Sequence, residues 1–233
     1  DMIVAEDVGI YKYDILGQRG LGKIKDAIQL VKINQPDVEL PDIHDVKPFF
    51  KDPKINKLVS TARCIGCFYV ESPAMRMLLR KLEVNTYQGL VAASSIIRPG
   101  VAKSGMMREY ILRHKDPERR KLAHPILYKI MPDTYGIMVY QEDVIKVAHH
   151  FAGLDLGESD VLRRGMSGKY RSRAEFEKIR NKFIHNCIDK GYKKEVVMEV
   201  WYQVESFAGY AFAKGHSASY AVESYQSLYL KTY

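Results

Sequence analysis

Residues 72–97 read SPAMRMLLRKLEVNTYQGLVAASSII, and the class of the fold turns on this stretch. Ser72 followed by Pro73 is a helix start: a side-chain oxygen for an orphan amide, then a residue whose fixed φ suits the first turn. The helix AMRMLLRKLE should follow. Asn85 is expected to cap a second helix over TYQGLVAASSII, which Arg98, Pro99 and Gly100 would terminate. Two helices joined by a few residues imply a helical domain, and the rest of the chain can be set against that expectation.

Further helical periods run downstream through KSGMMREYILRH, QEDVIKVAHHFA, SRAEFEKIRNKFIHNCIDKG and KKEVVMEVWYQVESFA. Upstream, RGLGKIKDAIQLVKI places Leu21, Ile24, Ala27, Ile28 and Val31 at helical spacing. Short apolar strands are expected at CFYVES and YGIMVY. Residues 10–17, IYKYDILG, alternate as a half-buried strand does, with Ile10, Tyr13 and Ile15 suited to a pleated surface. Asp14 is the exception, because strands avoid Asp, and Lys12 points to the same side. The reading is mainly α with minor β: one opening strand, then helices. Residues 34–53, rich in Pro and Asp, form a long connection and the best internal boundary.

The chain has 233 residues, 46% of them hydrophobic and 11% aromatic, which describes a folded globular protein and excludes disorder. No run approaches the roughly 18 apolar residues a membrane helix needs, and the acidic start DMIVAEDVGI does not resemble a secretory peptide. Three cysteines make no disulfide framework, so a reducing, cytoplasmic compartment fits. Cys64 and Cys67 form a C-x-x-C without a second ligand pair and lie in an apolar run, so they read as core residues. The first residue is Asp, and SYQSLYLKTY closes the chain without a helix cap; both ends read as cuts in a longer polypeptide.

The formal net charge is +8. Between Asp160 and Lys194 eleven basic residues face four acidic ones, so this segment alone holds most of the surplus, as a phosphate-binding surface requires. Within it, LRRGMSGKYRSR joins adjacent arginines to glycines. Guanidinium forks match phosphate oxygens and glycine lets backbone amides approach them, so the segment suits a triphosphate as well as it suits a solvated helix end. Further on, FAGYAFAKGHSASYAVESYQ interleaves small residues with Phe207, Tyr210, Phe212 and Tyr220 around Lys214 and His216. Flat bases could lie against such a surface; tight helix packing through small residues is the alternative. His149 and His150 are adjacent and point to different helix faces, while His114 and His124 lie in a polar loop, so none of the four reads as a metal ligand.

Taken in order, YDILG, CFYVESPAMR, IRPG with SGMMREYILRH, TYGIMVYQEDV, SDVLRRGMSGK, and FAGYAFAKGHSASYA with SYQSLYLK resemble the alpha subunits of bacterial DNA polymerase III and their error-prone relatives, the C-family replicative polymerases. The resemblance runs from about residue 8 to the end, and it is the order and spacing of the motifs that make it specific. It implies residues 1–20 as the C-terminal edge of a palm domain, whose strand carries Asp14 as one of three metal-binding carboxylates, and residues 21–233 as a helical fingers domain. Two Mg²⁺ ions would be the cofactors, about 3.5–4 Å apart, one activating the primer 3′-hydroxyl.

By the same resemblance Lys12, Arg163, Arg164, Lys169, Lys214 and His216 would bind the nucleotide, and Arg171, Arg173 and Tyr210 the DNA. Family members usually read G-[FY]-N-K-S-H where this chain has Ala211, Phe212, Ala213, Lys214, Gly215 and His216, so it supplies neither the Asn amide nor the Ser hydroxyl of that loop. The Pro-Asp-x-Asp pair of the palm does not occur in this sequence, and the chain by itself is expected not to polymerise. Partners would be primer-template DNA and deoxynucleoside triphosphates, with a sliding clamp and other replisome subunits for the intact protein, and no membrane. Two other readings are a non-catalytic helical module that binds nucleic acid through the basic segment and, last, a metal-dependent phosphohydrolase using Asp14 and the histidines.

Overall fold

The structure, a computed structural model, describes residues 2–11, 15, 17, 19–97, 105–166, 173–206 and 213–233. The chain divides into two units, Asp1–Pro41 and Asp42–Tyr233, and the division falls inside the expected 34–53 connection. Among the described residues every regular element is helical.

The first unit holds α1 (Met2–Asp7) and α2 (Arg19–Asn34). The periodicity does not anticipate α1. It ends in a glycine cap: Gly9 takes φ 82°, and the Ile10 N–H donates to the Ala5 carbonyl at 2.9 Å. In α2 Ile24 is buried, while Leu21, placed on the apolar face by spacing, is exposed. The expected strand at 10–17 falls largely outside the described residues, Asp14 and Lys12 included.

The second unit contains α3 (Lys47–Lys51), α4 (Pro53–Ser60), α5 (Pro73–Leu82), α6 (Tyr87–Ile96), α7 (Met106–Lys115), α8 (Pro125–Ile130), α9 (Gln141–Lys146), α10 (Leu156–Met166), α11 (Arg173–Asp189), α12 (Lys194–Ser206) and α13 (Lys214–Thr232). Short 3₁₀ turns at Glu118–Leu122 and Pro132–Thr134 and a π turn at Val147–Phe151 complete it. The Ser72 hydroxyl accepts the Met75 N–H at 3.2 Å to open α5, as its sequence implies. The cap of α6 is Thr86 and not Asn85. Thr86 has extended backbone and its Oγ1 accepts the Gly89 N–H at 3.1 Å, three residues on, which is the reach a cap requires.

Two expected strands are corrected. CFYVES contains Tyr69 at φ 64° and YGIMVY begins at Tyr135 with φ 57°, left-handed positions that a pleated strand does not accommodate. Residues 64–70 turn instead, with the Cys67 N–H on the Cys64 carbonyl at 3.1 Å and the Val70 N–H on the Phe68 carbonyl at 2.8 Å. Around Ile137, Met138 and Val139, all buried, side chains satisfy the backbone: the Thr134 hydroxyl donates to the Ile137 carbonyl and Asp143 accepts the Val139 N–H. Apolar content alone does not distinguish such a core loop from a strand.

The C-terminal helix α13 organises the core. Ala221, Tyr225 and Leu228 are buried against α3, α4 and α6. Its polar side chains bind across the packing: Tyr225 donates to Asn56 Oδ1 at 2.8 Å, Gln226 to the Ile43 carbonyl at 2.9 Å, and Ser224 to the Phe68 carbonyl at 3.1 Å. In return the Phe68 N–H donates to Ser227 Oγ at 3.0 Å, and Ser95 to Ser217 Oγ at 2.6 Å. The other end of the core is aromatic, with Trp201 of α12 packed on Phe183 and Phe176 of α11. Cys64, Cys67 and Cys187 are buried free thiols, and burial pushes Cys64 and Cys187 up to about 12.

Candidate functional site

Arg163 and Arg164 occupy the last turn of α10, where the helix periodicity sets both within reach of Asp160 one turn earlier. Asp160 Oδ1 accepts from Arg163 Nε at 2.9 Å and Nη2 at 2.8 Å, and Oδ2 pairs with Arg164 Nε at 3.0 Å. The third nitrogen of Arg163, Nη1, reaches Gln141 Oε1 at 3.3 Å on α9. The adjacent carboxylate, Glu142, accepts the backbone N–H of Lys214 with both oxygens at 3.0 Å. One dipeptide at the start of α9 therefore touches Arg163 on one side and the first residue of α13 on the other.

Lys214 is half exposed. Its Nζ lies 3.5 Å from Asp133 Oδ2 and 5.4 Å from the centroid of the Tyr140 ring, so a carboxylate and an aromatic face hold the ammonium at the surface. His216, two residues further on α13, packs its ring 4.1 Å from that of Tyr220. Behind them Asp143 anchors α9: its Oδ2 accepts the N–H groups of Val139 and Tyr140, each at 2.9 Å. Burial pushes the Asp143 carboxyl up, against the pull of those two amides and of Lys146.

Of the residues expected at the site, the structure describes Arg163, Arg164, Lys214 and His216. Arg173 is the first residue of α11, and its side chain is outside the description; Lys12, Asp14, Lys169, Arg171 and Tyr210 lie outside the described residues. The basic segment is less uniform a surface than its composition suggests. Lys182 is engaged by Glu158 at 2.5 Å, Lys190 donates to the Phe151 carbonyl at 3.1 Å, and Arg180 pairs with Glu177 while its guanidinium lies over Trp201. These cations serve the packing of α10, α11 and α12.

The histidines expected to be non-ligands are occupied in different ways. His114, in the last turn of α7 and not in a loop, has its ring nitrogens at 3.0 Å from the Tyr135 hydroxyl and 2.8 Å from the Leu82 carbonyl. His149 Nδ1 sits 2.8 Å from the Leu154 carbonyl. Among the described residues no group of three or more His, Cys, Asp or Glu side chains could hold a metal ion.

Sequence reasoning missed Asp160, Gln141, Glu142, Asp133 and Tyr140. Asp160 was legible as an i, i+3 and i, i+4 partner of two arginines. The others belong to TYGIMVYQEDV or lie just before it, and nothing local in that stretch says that its Gln and Glu reach two distant helices.

Residues 20–191 match the family model described as the bacterial DNA polymerase III alpha subunit finger domain. The chain is 34% identical to DNA polymerase III subunit alpha of Aquifex aeolicus (strain VF5), covering 100% of this chain and 20% of that protein. It is also 34% identical to DNA polymerase III subunit alpha of Borreliella burgdorferi, covering 99% of this chain and 19% of that protein. For the protein of the same name from Staphylococcus aureus (strain COL) the identity is 34%, over 100% of this chain and 21% of that protein. The chain spans about one-fifth of the length of these curated relatives. The α9 and α10 residues of the site fall within the span of the family model, and Lys214 and His216 beyond it.

Proposed function

The chain belongs to the bacterial DNA polymerase III alpha subunit finger-domain family, and from that premise we propose that it is the part of a DNA-directed DNA polymerase that grips the incoming deoxynucleoside triphosphate over primer-template DNA. The observation that carries this reading is the bridge through Gln141 and Glu142, which joins Arg163 to Lys214 across two helices. Two guanidinium groups and an ammonium on one connected framework suit a triphosphate, because guanidinium forks bind phosphate oxygens in pairs while the ammonium adds a mobile point charge. His216 and Tyr220, on the same helix as Lys214, offer flat surfaces suited to a base.

The reaction would be nucleotidyl transfer from the deoxynucleotide to the primer 3′-hydroxyl, with the nucleotide also contacted by Lys12 and Lys169 and the DNA by Arg171, Arg173 and Tyr210. Asp14 would be one carboxylate ligand of two Mg²⁺ ions, which in such chemistry would supply charge stabilisation at the α-phosphate. The described residues do not themselves form a metal site. On this reading the chain's own part is to bind and orient phosphates and to supply the Asp14 carboxylate, and alone it would not polymerise. In the intact protein a sliding clamp and other replisome subunits would be partners, in the bacterial cytoplasm. No helix among the described residues is long and apolar enough to cross a membrane.

The test is fluorescence anisotropy of a labelled primer-template across a salt series, with wild type and the Arg163→Ala/Arg164→Ala double variant. Each neutralised phosphate contributes about 0.9 to the slope of log K against log salt. A slope of several units, with tighter binding on adding the matched deoxynucleotide in wild type only, is the expected outcome. A steep slope blind to both nucleotide and variant would favour the non-catalytic nucleic-acid-binding module instead.

A further inference from the structure

We propose that Asp160 is a positioning residue that presets Arg163 and Arg164 as a pair, with the terminal nitrogens of both guanidinium groups directed to one polyphosphate; the inference rests on the triphosphate reading given above. The reason lies in which atoms Asp160 occupies. Each of its oxygens takes one arginine: Oδ1 holds Arg163 through Nε and Nη2, and Oδ2 holds Arg164 through Nε. A guanidinium has more donors than one such contact uses. Arg163 keeps a hydrogen on Nη2 after its bond to Asp160 and one on Nη1 after its bond to Gln141. Arg164 commits only Nε to Asp160. Arg164 thus keeps both terminal nitrogens clear of Asp160, and Arg163 keeps one hydrogen on each of its own, so both can still donate to phosphate oxygens.

A carboxylate that competed with phosphate would occupy those terminal nitrogens. Asp160 takes Nε of each arginine and only one hydrogen of a terminal nitrogen, on Arg163 Nη2, so its contacts and a phosphate's are compatible. Holding two long side chains in one geometry before the ligand arrives also lowers the rotamer entropy lost on binding. Gln141 adds a restraint from a second helix, so Arg163 is fixed from two directions and Arg164 from one; side-chain exposures of 29% and 50% follow the same order. Stability does not explain the arrangement, since partly exposed pairs within one helix contribute little to it.

The experiment is single-nucleotide incorporation by the intact polymerase carrying this chain, comparing Asp160→Asn, Asp160→Glu, Arg163→Ala and Arg164→Ala with wild type, each checked by thermal melting. We expect Asp160→Asn to raise KM for the matched deoxynucleotide about tenfold, the scale of losing charge-assisted hydrogen bonds. The loss falls on KM rather than kcat, as removal of uniform binding does. Asp160→Glu, which keeps the charge, recovers part of it, and the melting temperature of Asp160→Asn stays at the wild-type value. If both arginine variants raise KM and Asp160→Asn leaves it unchanged, or lowers it, the positioning role is overturned while the triphosphate site stands. If the arginine variants also leave KM unchanged, the triphosphate site itself is overturned.

Discussion

Glu142 accepts the backbone N–H of Lys214 with both carboxylate oxygens at 3.0 Å, tying the second residue of α9 to the first residue of α13 across 72 positions of sequence. The contact does two things. It satisfies an amide at a helix start where no side chain of α13 caps, since Ala213 stands at the N-cap. It also places a negative charge at the positive end of the helix dipole.

Removing that carboxylate should therefore loosen the start of α13. Glu142→Ala is expected to cost about 1 kcal/mol, the usual size of a lost cap. Urea unfolding reads it as a lower midpoint with an unchanged slope. In the anisotropy assay the same variant should weaken the response to nucleotide, because Lys214 and His216 lose their anchor.

Asp14→Asn separates polymerase from passive binder. On the proposed polymerase reading, primer extension by the intact protein carrying this chain is expected to fall to background while affinity for primer-template stays within the wild-type range. A carboxylate that holds catalytic metal is needed for chemistry and not for grip. Extension at the wild-type rate would remove Asp14 from the metal site.

Acid should weaken the second unit through Glu109. Burial pushes its carboxyl up, but hydrogen bonds from Arg119 and Arg113, at 2.8 and 2.9 Å, outweigh burial and hold it below the usual carboxylate range. A carboxyl with a depressed folded-state value stabilises the fold above its unfolded value and loses that contribution as pH falls through the folded one. Glu109→Gln should then destabilise the protein by about 1 kcal/mol at neutral pH, the net size of such a pair. The variant should approach wild type below the carboxylate range, a convergence that urea midpoints across pH would record.

The thiols should be inert until the protein unfolds. Burial pushes Cys64 and Cys187 up to about 12 and raises Cys67 as well, so at pH 8 almost no thiolate is present. A disulfide reagent is expected to label all three only in denaturant. Rapid labelling of the Cys64 and Cys67 pair in the native protein would favour redox or metal chemistry at that motif over a core role.

The aromatic end of the core offers a stability test remote from the site. Phe183 is fully buried, 5.3 Å from the Trp201 ring, and Phe183→Ala should cost about 3–5 kcal/mol. Calorimetry would show this as a large fall in melting temperature.

The helical character of the chain was legible because amphipathic periodicity and capping residues are local signals. Ser72 and Pro73 act where the sequence places them, and α7, α9, α11 and α12 occupy stretches whose spacing predicts helices. The misplaced elements have local causes of another kind. CFYVES and YGIMVY carry strand-like composition, yet Tyr69 and Tyr135 turn the backbone left-handed, and what fills those loops' hydrogen bonds comes from Ser227 and Asp143. Thr86 rather than Asn85 caps α6 because cap position depends on where the first helical amide falls.

By itself the sequence determined the family, through six ordered motifs, and singled out three cations that the structure describes, Arg163, Arg164 and Lys214. Tertiary structure alone decided how two of those cations are joined. Arg163 and Lys214 lie 51 positions apart and share no periodicity, and only the tertiary arrangement sets Gln141 within hydrogen-bond reach of Arg163 and Glu142 within reach of the Lys214 N–H. The physical reason is one of range. Periodicity and caps are governed by torsions a few residues apart, whereas a carboxylate bridging two helices depends on the whole core that orients them.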